Sequence, residues 1–177
     1  MLLLASLLFF WLLLAAKMDR SLKTASPEET HAMGRRLGAS LRPGDVVALI
    51  GLYGAGKTTF VKGVAAGMGL NPRKVVSPTF VLMHRYDGGS VPLFHFDCHR
   101  IADPAEILSL GLRDVAREGP VVLEWADQVA TFLDPPLLEI RFGFTGESAR
   151  ELVFGTEDSR LAEIVHGLCD SASRPGE

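Results

Sequence analysis

Apolar runs and apolar–polar alternation along the chain predict a series of short strands. Residues 46–50 (VVALI) form a continuous apolar run, and residues 121–125 (VVLEW) form another that only Glu124 interrupts. Such runs are typical of strands that are buried on both faces of a sheet. Other strand-like segments flank turn sequences in pairs, which predicts two hairpins: residues 80–86 with 91–96, and residues 137–144 with 150–154. A short β-like run is also expected at residues 74–76.

Helical periodicity and capping signals place helices between these strands. Ser26 is followed by Pro27 and, three positions on, by Glu29, which is the pattern of a capping box. A helix is therefore predicted from Ser26 to about Leu41. Further helices are expected at residues 58–68, 104–110, 126–133 and 161–168. The alternation of strands and helices predicts an α/β domain with a mixed sheet.

The N-terminal segment differs from the rest of the chain. Sixteen almost purely apolar residues precede Lys17, and a normal globular pattern begins at Met18. The segment lacks a basic start and a good cleavage site, and it is short for a membrane span. A start codon placed too early fits best, whereas a membrane anchor or an export signal stays open. The chain is thus divided into an apolar extension (1–17), one domain (18–168) and a flexible tail (169–177).

Composition and charge restrict the partners of this domain. The formal net charge is −3, so no basic excess is available to coat a nucleic-acid backbone. Nucleic acid is therefore not expected to be the main direct ligand, although a local basic patch stays open. Cys98 and Cys169 are the only two cysteines and do not form a disulfide framework. This use of cysteine fits a reducing compartment such as the cytoplasm.

The segment after the first apolar run has the pattern of a phosphate-binding loop. Gly51, Gly56, Lys57 and Thr58 fit G-x-x-x-x-G-K-[ST], with a predicted strand before and a predicted helix after. Backbone N–H groups of such a loop converge on phosphate oxygens, the lysine adds a charge, and the threonine hydroxyl suits Mg²⁺. The candidate nucleotide-binding residues are Gly51, Leu52, Tyr53, Gly54, Ala55, Gly56, Lys57, Thr58 and Thr59. The loop makes the expected fold a P-loop NTPase-like, three-layer α/β fold with a mixed, mainly parallel sheet.

Two carboxylates are candidates for a metal-linked or catalytic role. Asp97 follows the apolar run VPLFHF, and Glu124 follows VVL. A carboxylate at the end of a buried strand can hold Mg²⁺ or orient an attacking water. The alternatives without a functional role are a helix- or turn-capping Asp97 and a solvated strand end for Glu124. The guanine signature N-K-x-D is absent from the sequence, so ATP is favoured over GTP.

Four motifs together resemble one known family. GLYGAGKTTFVKG, SPTF, HFDCHRIADPAEILSLGLRD and EWAD occur in the order and spacing of the TsaE (YjeE) family. The resemblance covers roughly residues 18–155. It implies a cytoplasmic, Mg²⁺-dependent ATPase, weak alone, that assists threonylcarbamoyl-adenosine modification of tRNA. It would act on the TsaD–TsaB pair, which stimulates it, and would meet tRNA only through that pair.

The same resemblance implies roles for individual residues. The Mg²⁺-binding threonine of the family falls on Thr58, and its switch-like segment near the γ-phosphate falls on Ser77, Pro78 and Thr79. Its aspartate falls on Asp97, and the glutamate that it links to metal and hydrolysis falls on Glu124. How Asp97 and Glu124 divide these roles stays open.

The chain also departs from the family pattern. Leu52 and Tyr53 replace the usual Asp-Leu of the loop, and His99 replaces a tyrosine. Phosphate binding relies on backbone N–H groups and Lys57, so we expect it to survive these changes. A small-molecule P-loop kinase and a nucleotide-dependent, membrane-attached module remain the alternative functions.

Overall fold

The structure is a computed structural model that describes residues 20–134 and 136–172. The predicted extension (1–17) and residues 173–177 of the predicted tail lie outside these ranges. Within them, the strands are β1 (Arg20–Thr24), β2 (Val46–Ile50), β3 (Met83–Tyr86), β4 (Leu93–Asp97), β5 (Val121–Glu124), β6 (Leu137–Phe144) and β7 (Arg150–Thr156). The α-helices are α1 (Pro27–Gly38), α2 (Lys57–Gly67), α3 (Glu106–Ser109), α4 (Leu112–Glu118) and α5 (Ser159–Ala172).

All the described strands belong to one mixed sheet with the order β1-β7-β6-β2-β5-β4-β3. The pairs β6–β2, β2–β5 and β5–β4 are parallel. The pairs β1–β7, β7–β6 and β4–β3 are antiparallel. The predicted α/β fold with a mixed sheet is confirmed. Parallel pairs form the centre of the sheet, but they make up three of its six strand pairs and not most of them.

Helices cover both faces of this sheet. Helices α1, α2 and α5 share a buried apolar cluster with Val47 and Leu49 of β2. Helices α3 and α4 contribute to a second cluster with Val46 and Ala48 of the same strand. Successive side chains of a strand point to opposite faces, so the two clusters lie on opposite sides of the sheet. The predicted three-layer arrangement is therefore present.

Helix α1 begins as its sequence predicts. The Ser26 hydroxyl accepts a hydrogen bond from the Glu29 N–H at 3.3 Å, and the Glu29 carboxylate accepts one from the Ala25 N–H at 2.7 Å. The bond to Ser26 satisfies an N–H group that the helix start leaves without an intrahelical partner. The bond to the Glu29 carboxylate comes from Ala25, one residue before the N-cap, and not from the N-cap N–H of the predicted capping box. The helix ends at Gly38, three residues before the predicted end at Leu41.

Glycines on facing sides bring α1 and α2 unusually close. A Cβ added to Gly38 of α1 would lie 2.2 Å from the Val64 carbonyl oxygen, and one added to Gly63 of α2 would lie 2.1 Å from the His31 carbonyl oxygen. Both distances are shorter than any tolerable contact, and the obstacles are backbone atoms. Helix α2 directly follows the glycine-rich loop. Its close contact with α1 therefore fixes the position of the helix to which the loop is connected.

Several sequence-based predictions of secondary structure are wrong. Residues 74–76 form no strand, because a 3₁₀ turn occupies Pro72–Lys74, and residues 126–133 form two 3₁₀ turns rather than a helix. Strand β1 and helix α4 were not predicted. Helix α5 extends to Ala172, so the first residues of the predicted tail are helical. No helix in residues 20–134 and 136–172 is long and apolar enough to cross a membrane.

Candidate nucleotide-binding site

The glycine-rich loop runs from the end of β2 to the start of α2, as its motif predicts. Gly56, immediately before the helix, has φ of 100°, a left-handed conformation that glycine adopts without strain. Gly51 packs so tightly that an added Cβ would lie 2.9 Å from the Phe142 carbonyl oxygen of β6. The loop is thus shaped by backbone conformation at one end and by the neighbouring strand at the other.

Lys57 is folded back onto the loop. Its Nζ donates to the carbonyl oxygens of Gly51 at 2.6 Å and Leu52 at 3.0 Å, and lies 3.9 Å from the centre of the Trp125 ring. Burial lowers the pKa of Lys57, and the negative charges of Glu124, Asp127 and Asp97 partly oppose that effect. An ammonium held by neutral carbonyls and a ring, and not by a direct ion pair, can transfer its hydrogen bonds to an entering phosphate.

Glu124 ends strand β5 and bonds to the first turn of α2. The Thr58 hydroxyl lies 2.8 Å from Oε1 and 3.0 Å from Oε2 of Glu124. Nε2 of His95 lies 2.9 Å from the same Oε1. Only 3% of Glu124 is exposed, so the solvated strand end considered from sequence is wrong. The carboxylate is instead buried and held in one orientation from two sides.

Asp97 is bound to the SPT segment that follows the 3₁₀ turn. Its Oδ2 accepts hydrogen bonds from the hydroxyls of Ser77 at 2.5 Å and Thr79 at 2.7 Å, and Oδ1 accepts one from the His99 N–H at 3.0 Å. Burial raises the pKa of Asp97, but these hydrogen bonds, with His95 nearby, outweigh it and leave the pKa below its ordinary value. Asp97 therefore caps a local turn, which was the alternative considered from the sequence. It also binds both ends of the segment 77–79.

Sheet register brings the two carboxylates side by side. Asp97 pairs directly with Glu124 across the parallel β4–β5 ladder, and Leu49 of β2 pairs with Glu124 on its other side. Partners in register point to the same face of a sheet. Both carboxylates therefore face the layer that contains α2 and the phosphate loop.

These groups line a single pocket of about 440 Å³. It contains most of the predicted site residues: Tyr53, Gly54, Ala55, Gly56, Lys57, Thr58, Thr59, Ser77, Thr79, Asp97 and Glu124. Gly51, Leu52 and Pro78 do not line it, although the carbonyl oxygens of Gly51 and Leu52 bind Lys57. The lining residues that were not predicted as site residues are His99, Arg100 and Trp125.

The sequence position of Trp125, directly after Glu124 in the EWAD motif, could have marked it as a site residue. Its φ is 57°, a left-handed value that is strained for a residue with a bulky side chain. The ring lies against Lys57, and the His99 ring centre is 4.7 Å away. Strained backbone of this kind is frequent at ligand sites, and here it directs an aromatic ring toward Lys57.

The pocket offers oxygen ligands that suit Mg²⁺. The Thr58 hydroxyl and the carboxylates of Glu124 and Asp97 are hard donors of the kind that Mg²⁺ prefers. No group of three or more His, Cys, Asp or Glu able to hold a metal occurs in the described part of the chain. A metal held by one or two protein oxygens, with phosphate oxygens and waters completing its shell, is the usual arrangement for Mg²⁺ with a nucleotide. The residues present fit that arrangement.

Comparison with known proteins identifies relatives that cover most of the chain. The family model described as "Threonylcarbamoyl adenosine biosynthesis protein TsaE" matches residues 24–152. The tRNA threonylcarbamoyladenosine biosynthesis protein TsaE of Bacillus subtilis is 39% identical over 153 residues, which cover 86% of this chain and 92% of the relative. That of Rickettsia felis is 30% identical over 140 residues, or 78% of this chain and 82% of the relative.

A solved structure shares the fold. The crystal structure of Bacillus subtilis YdiB superposes with a TM-score of 0.71 at 33% sequence identity, covering 88% of this chain and 99% of that one. The family model spans the phosphate loop, the SPT segment and both carboxylates that line the pocket. The chain therefore belongs to the TsaE family of tRNA threonylcarbamoyladenosine biosynthesis proteins.

Proposed function

We propose that this protein binds ATP with Mg²⁺ and hydrolyses it as an accessory ATPase of tRNA threonylcarbamoyladenosine modification. The observation that carries the proposal is the convergence of the phosphate loop and two strand-end carboxylates on one pocket. In particular, the hydroxyl of Thr58 is already bonded to Glu124. This combination of an anion-binding loop with carboxylates beside it is what nucleotide hydrolysis requires.

Lys57 and the loop backbone hold the phosphates in this proposal. The N-terminus of α2 presents unpaired N–H groups and the positive end of the helix dipole to an anion. Lys57 exchanges the carbonyl oxygens of Gly51 and Leu52 for phosphate oxygens. The Trp125 ring, 3.9 Å from the Lys57 ammonium, adds a cation–π contact that helps to hold the lysine in the pocket.

The geometry suggests different roles for the two carboxylates. Glu124 contacts Thr58, so with Thr58 it would hold Mg²⁺ directly or through water and orient the attacking water. Asp97 contacts Ser77 and Thr79, so it positions the SPT segment beside the terminal phosphate. When bound, Mg²⁺ supplies positive charge that stabilises the phosphate oxygens as charge develops on them.

A partner is expected to complete this site. We propose that the protein docks on the TsaD–TsaB pair, which performs the transfer, and that hydrolysis resets the pair between turnovers. Phosphate release should be measured with purified protein alone, with the pair, and with the pair plus tRNA. Slow release alone and faster release with the pair are expected. Turnover that depends on an added metabolite and leaves phosphate on it would instead indicate a small-molecule kinase.

A further inference from the structure

Arg150, the first residue of β7, lies beside the phosphate loop although 96 positions separate it from Gly54. Its Nε donates to the Ala55 carbonyl oxygen at 3.2 Å, and its Nη2 donates to the Gly54 carbonyl oxygen at 3.2 Å. One guanidinium thus holds two consecutive carbonyls of the loop. A planar fork of donors suits such a pair of acceptors better than a single ammonium.

The same guanidinium is anchored to the β6–β7 hairpin. Its Nη1 donates to the carbonyl oxygens of Ala149 at 2.8 Å, Glu147 at 3.2 Å and Gly146 at 3.4 Å. It also lies 4.4 Å from the centre of the ring of Phe144, its partner across the β6–β7 ladder. Arg150 therefore connects the β6–β7 hairpin to the loop, with most of its contacts on the hairpin side.

Holding these carbonyls also fixes the N–H groups of the same peptide units. In a planar trans peptide, the C=O of one residue and the N–H of the next point in opposite directions. The Gly54 carbonyl shares its peptide with the Ala55 N–H, which closes a turn onto the Leu52 carbonyl oxygen at 3.2 Å. The Ala55 carbonyl shares its peptide with the Gly56 N–H. That N–H is directed away from Arg150, and Gly56 lines the pocket.

The charge of Arg150 adds to this geometric effect. In the described part of the chain, its hydrogen bonds go to backbone carbonyls and none goes to a carboxylate. Its positive charge is therefore not cancelled by an ion pair. By contrast, Arg160 of α5 is paired with Asp45. An unpaired cation behind the loop favours a polyanion in front of it.

We propose that Arg150 is a positioning residue of the nucleotide site, which sets the phosphate loop in its anion-binding conformation before the nucleotide arrives. It acts through the carbonyls of Gly54 and Ala55 and does not contact the nucleotide. The inference rests on the proposed nucleotide binding, but it requires neither hydrolysis nor a partner. Its effect is therefore expected on affinity, equally for ADP and ATP, and not on turnover at saturation.

The test compares Arg150→Gln and Arg150→Lys with the wild-type protein by calorimetric titration of ADP and of ATP with Mg²⁺. Hydrogen bonds from a charged group are strong enough that Arg150→Gln should weaken both affinities about tenfold or more. Arg150→Lys keeps the charge but cannot span both carbonyls, so an intermediate loss is expected. KM for ATP should rise while kcat is retained.

Arg160→Gln is the matched control, because it removes a partly buried arginine whose contacts, Asp45 and Ser40, lie away from the loop. It should lower the melting temperature without changing nucleotide affinity. Phe144→Ala removes the ring beneath Arg150 at a half-exposed position, where folding should be preserved. It should weaken both nucleotides in the same direction as Arg150→Gln, but by less.

Two results would overturn the inference. One is wild-type ADP affinity in Arg150→Gln and Phe144→Ala. The other is that the Arg150 and Arg160 variants lose nucleotide affinity in the same proportion to their loss of melting temperature. Arg150 would then affect binding only through the stability of the fold. A wild-type protein that binds neither nucleotide would overturn the proposed function itself, and this inference with it.

Discussion

The hydroxyl of Thr58 donates to the carboxylate of Glu124 at 2.8 Å, across 66 positions of sequence. Thr58 lies in the first turn of α2, and Glu124 is the last residue of β5. The parallel pairing of Leu49 with Glu124 brings the two segments together. The bond joins the helix that follows the glycine-rich loop to the carboxylate proposed to act in hydrolysis.

Replacing Glu124 should separate binding from hydrolysis. Glu124→Gln keeps the size of the side chain and an acceptor for Thr58 but removes the charge. We expect ATP affinity within a few-fold of wild type and turnover reduced at least about 100-fold, the scale of a lost catalytic base. Calorimetry and single-turnover phosphate release measure the two quantities. Glu118→Gln, at an exposed ion pair with Arg85, is the control, and equal turnover in both variants would remove Glu124 from the mechanism.

Alkaline pH should weaken nucleotide binding through Lys57. In the nucleotide-free protein, the pKa of Lys57 lies below its ordinary value of 10.5, mainly because the ammonium is buried. Bound phosphate favours the charged form of the same side chain. Above the pKa of the free protein, binding must therefore take up a proton, and affinity should fall by up to about tenfold per pH unit. Titration with metal-free ADP between pH 7 and 10.5 measures this.

Lys57→Arg is the control for this pH dependence, because guanidinium stays charged throughout the range. Its affinity should be independent of pH even if it is weaker. A wild-type profile as flat as that of the arginine variant would contradict the proposed contact between Lys57 and phosphate.

Acid should destabilise the fold partly through Asp97. The pKa of this carboxyl is lowered from its ordinary value of 3.8 by the hydroxyls of Ser77 and Thr79 and the His99 N–H, which outweigh its burial. Its stabilising contribution is therefore present above pH 3.8 and is lost as pH falls through the lower folded pKa. Thr79→Val should raise the pKa of Asp97 and move this loss to higher pH. Urea unfolding between pH 2.5 and 5 tests the shift, and identical pH dependence in variant and wild type would refute it.

An alanine at the crossing of α1 and α2 should destabilise the protein, although alanine favours helix. Gly63→Ala places a Cβ 2.1 Å from the His31 carbonyl oxygen, so the helices must separate. We expect a loss of about 1–3 kcal/mol in the free energy of unfolding, as for overpacked cores. Gly167→Ala in α5 meets nothing within 4 Å and should gain up to about 1 kcal/mol. Chemical denaturation compares the two, and a stabilised Gly63→Ala would contradict the close contact.

Elements with strong local signals could be predicted from the sequence. The apolar runs of β2 and β5, the capping of α1 and the glycine-rich loop are determined by nearby residues, and each appears where it was expected. Strand β1 reads RSLKT, and only Leu22 and Thr24 of it are shielded from solvent. It is a strand because it pairs with β7, which lies near the other end of the domain sequence. A local sequence pattern cannot show such a distant partner.

The site was predicted to a similar extent, for the same reason. The loop and the two carboxylates have recognisable local contexts, whereas Arg150 reads as an ordinary polar residue at the start of a strand. Its role depends on the hairpin that brings it to Gly54 and Ala55. His95 was likewise overlooked, because its contact with Glu124 depends on the register of β4 and β5.

The pairing of Asp97 with Glu124 also has a consequence for how the protein folds. A one-residue shift between β4 and β5 would turn one of these side chains to the opposite face of the sheet. The pocket can therefore form only after the central strands, which are distant in sequence, have aligned correctly. A nucleotide that binds only the correctly aligned state stabilises that state by mass action. The ligand would therefore disfavour chains in which β4 and β5 are paired out of register.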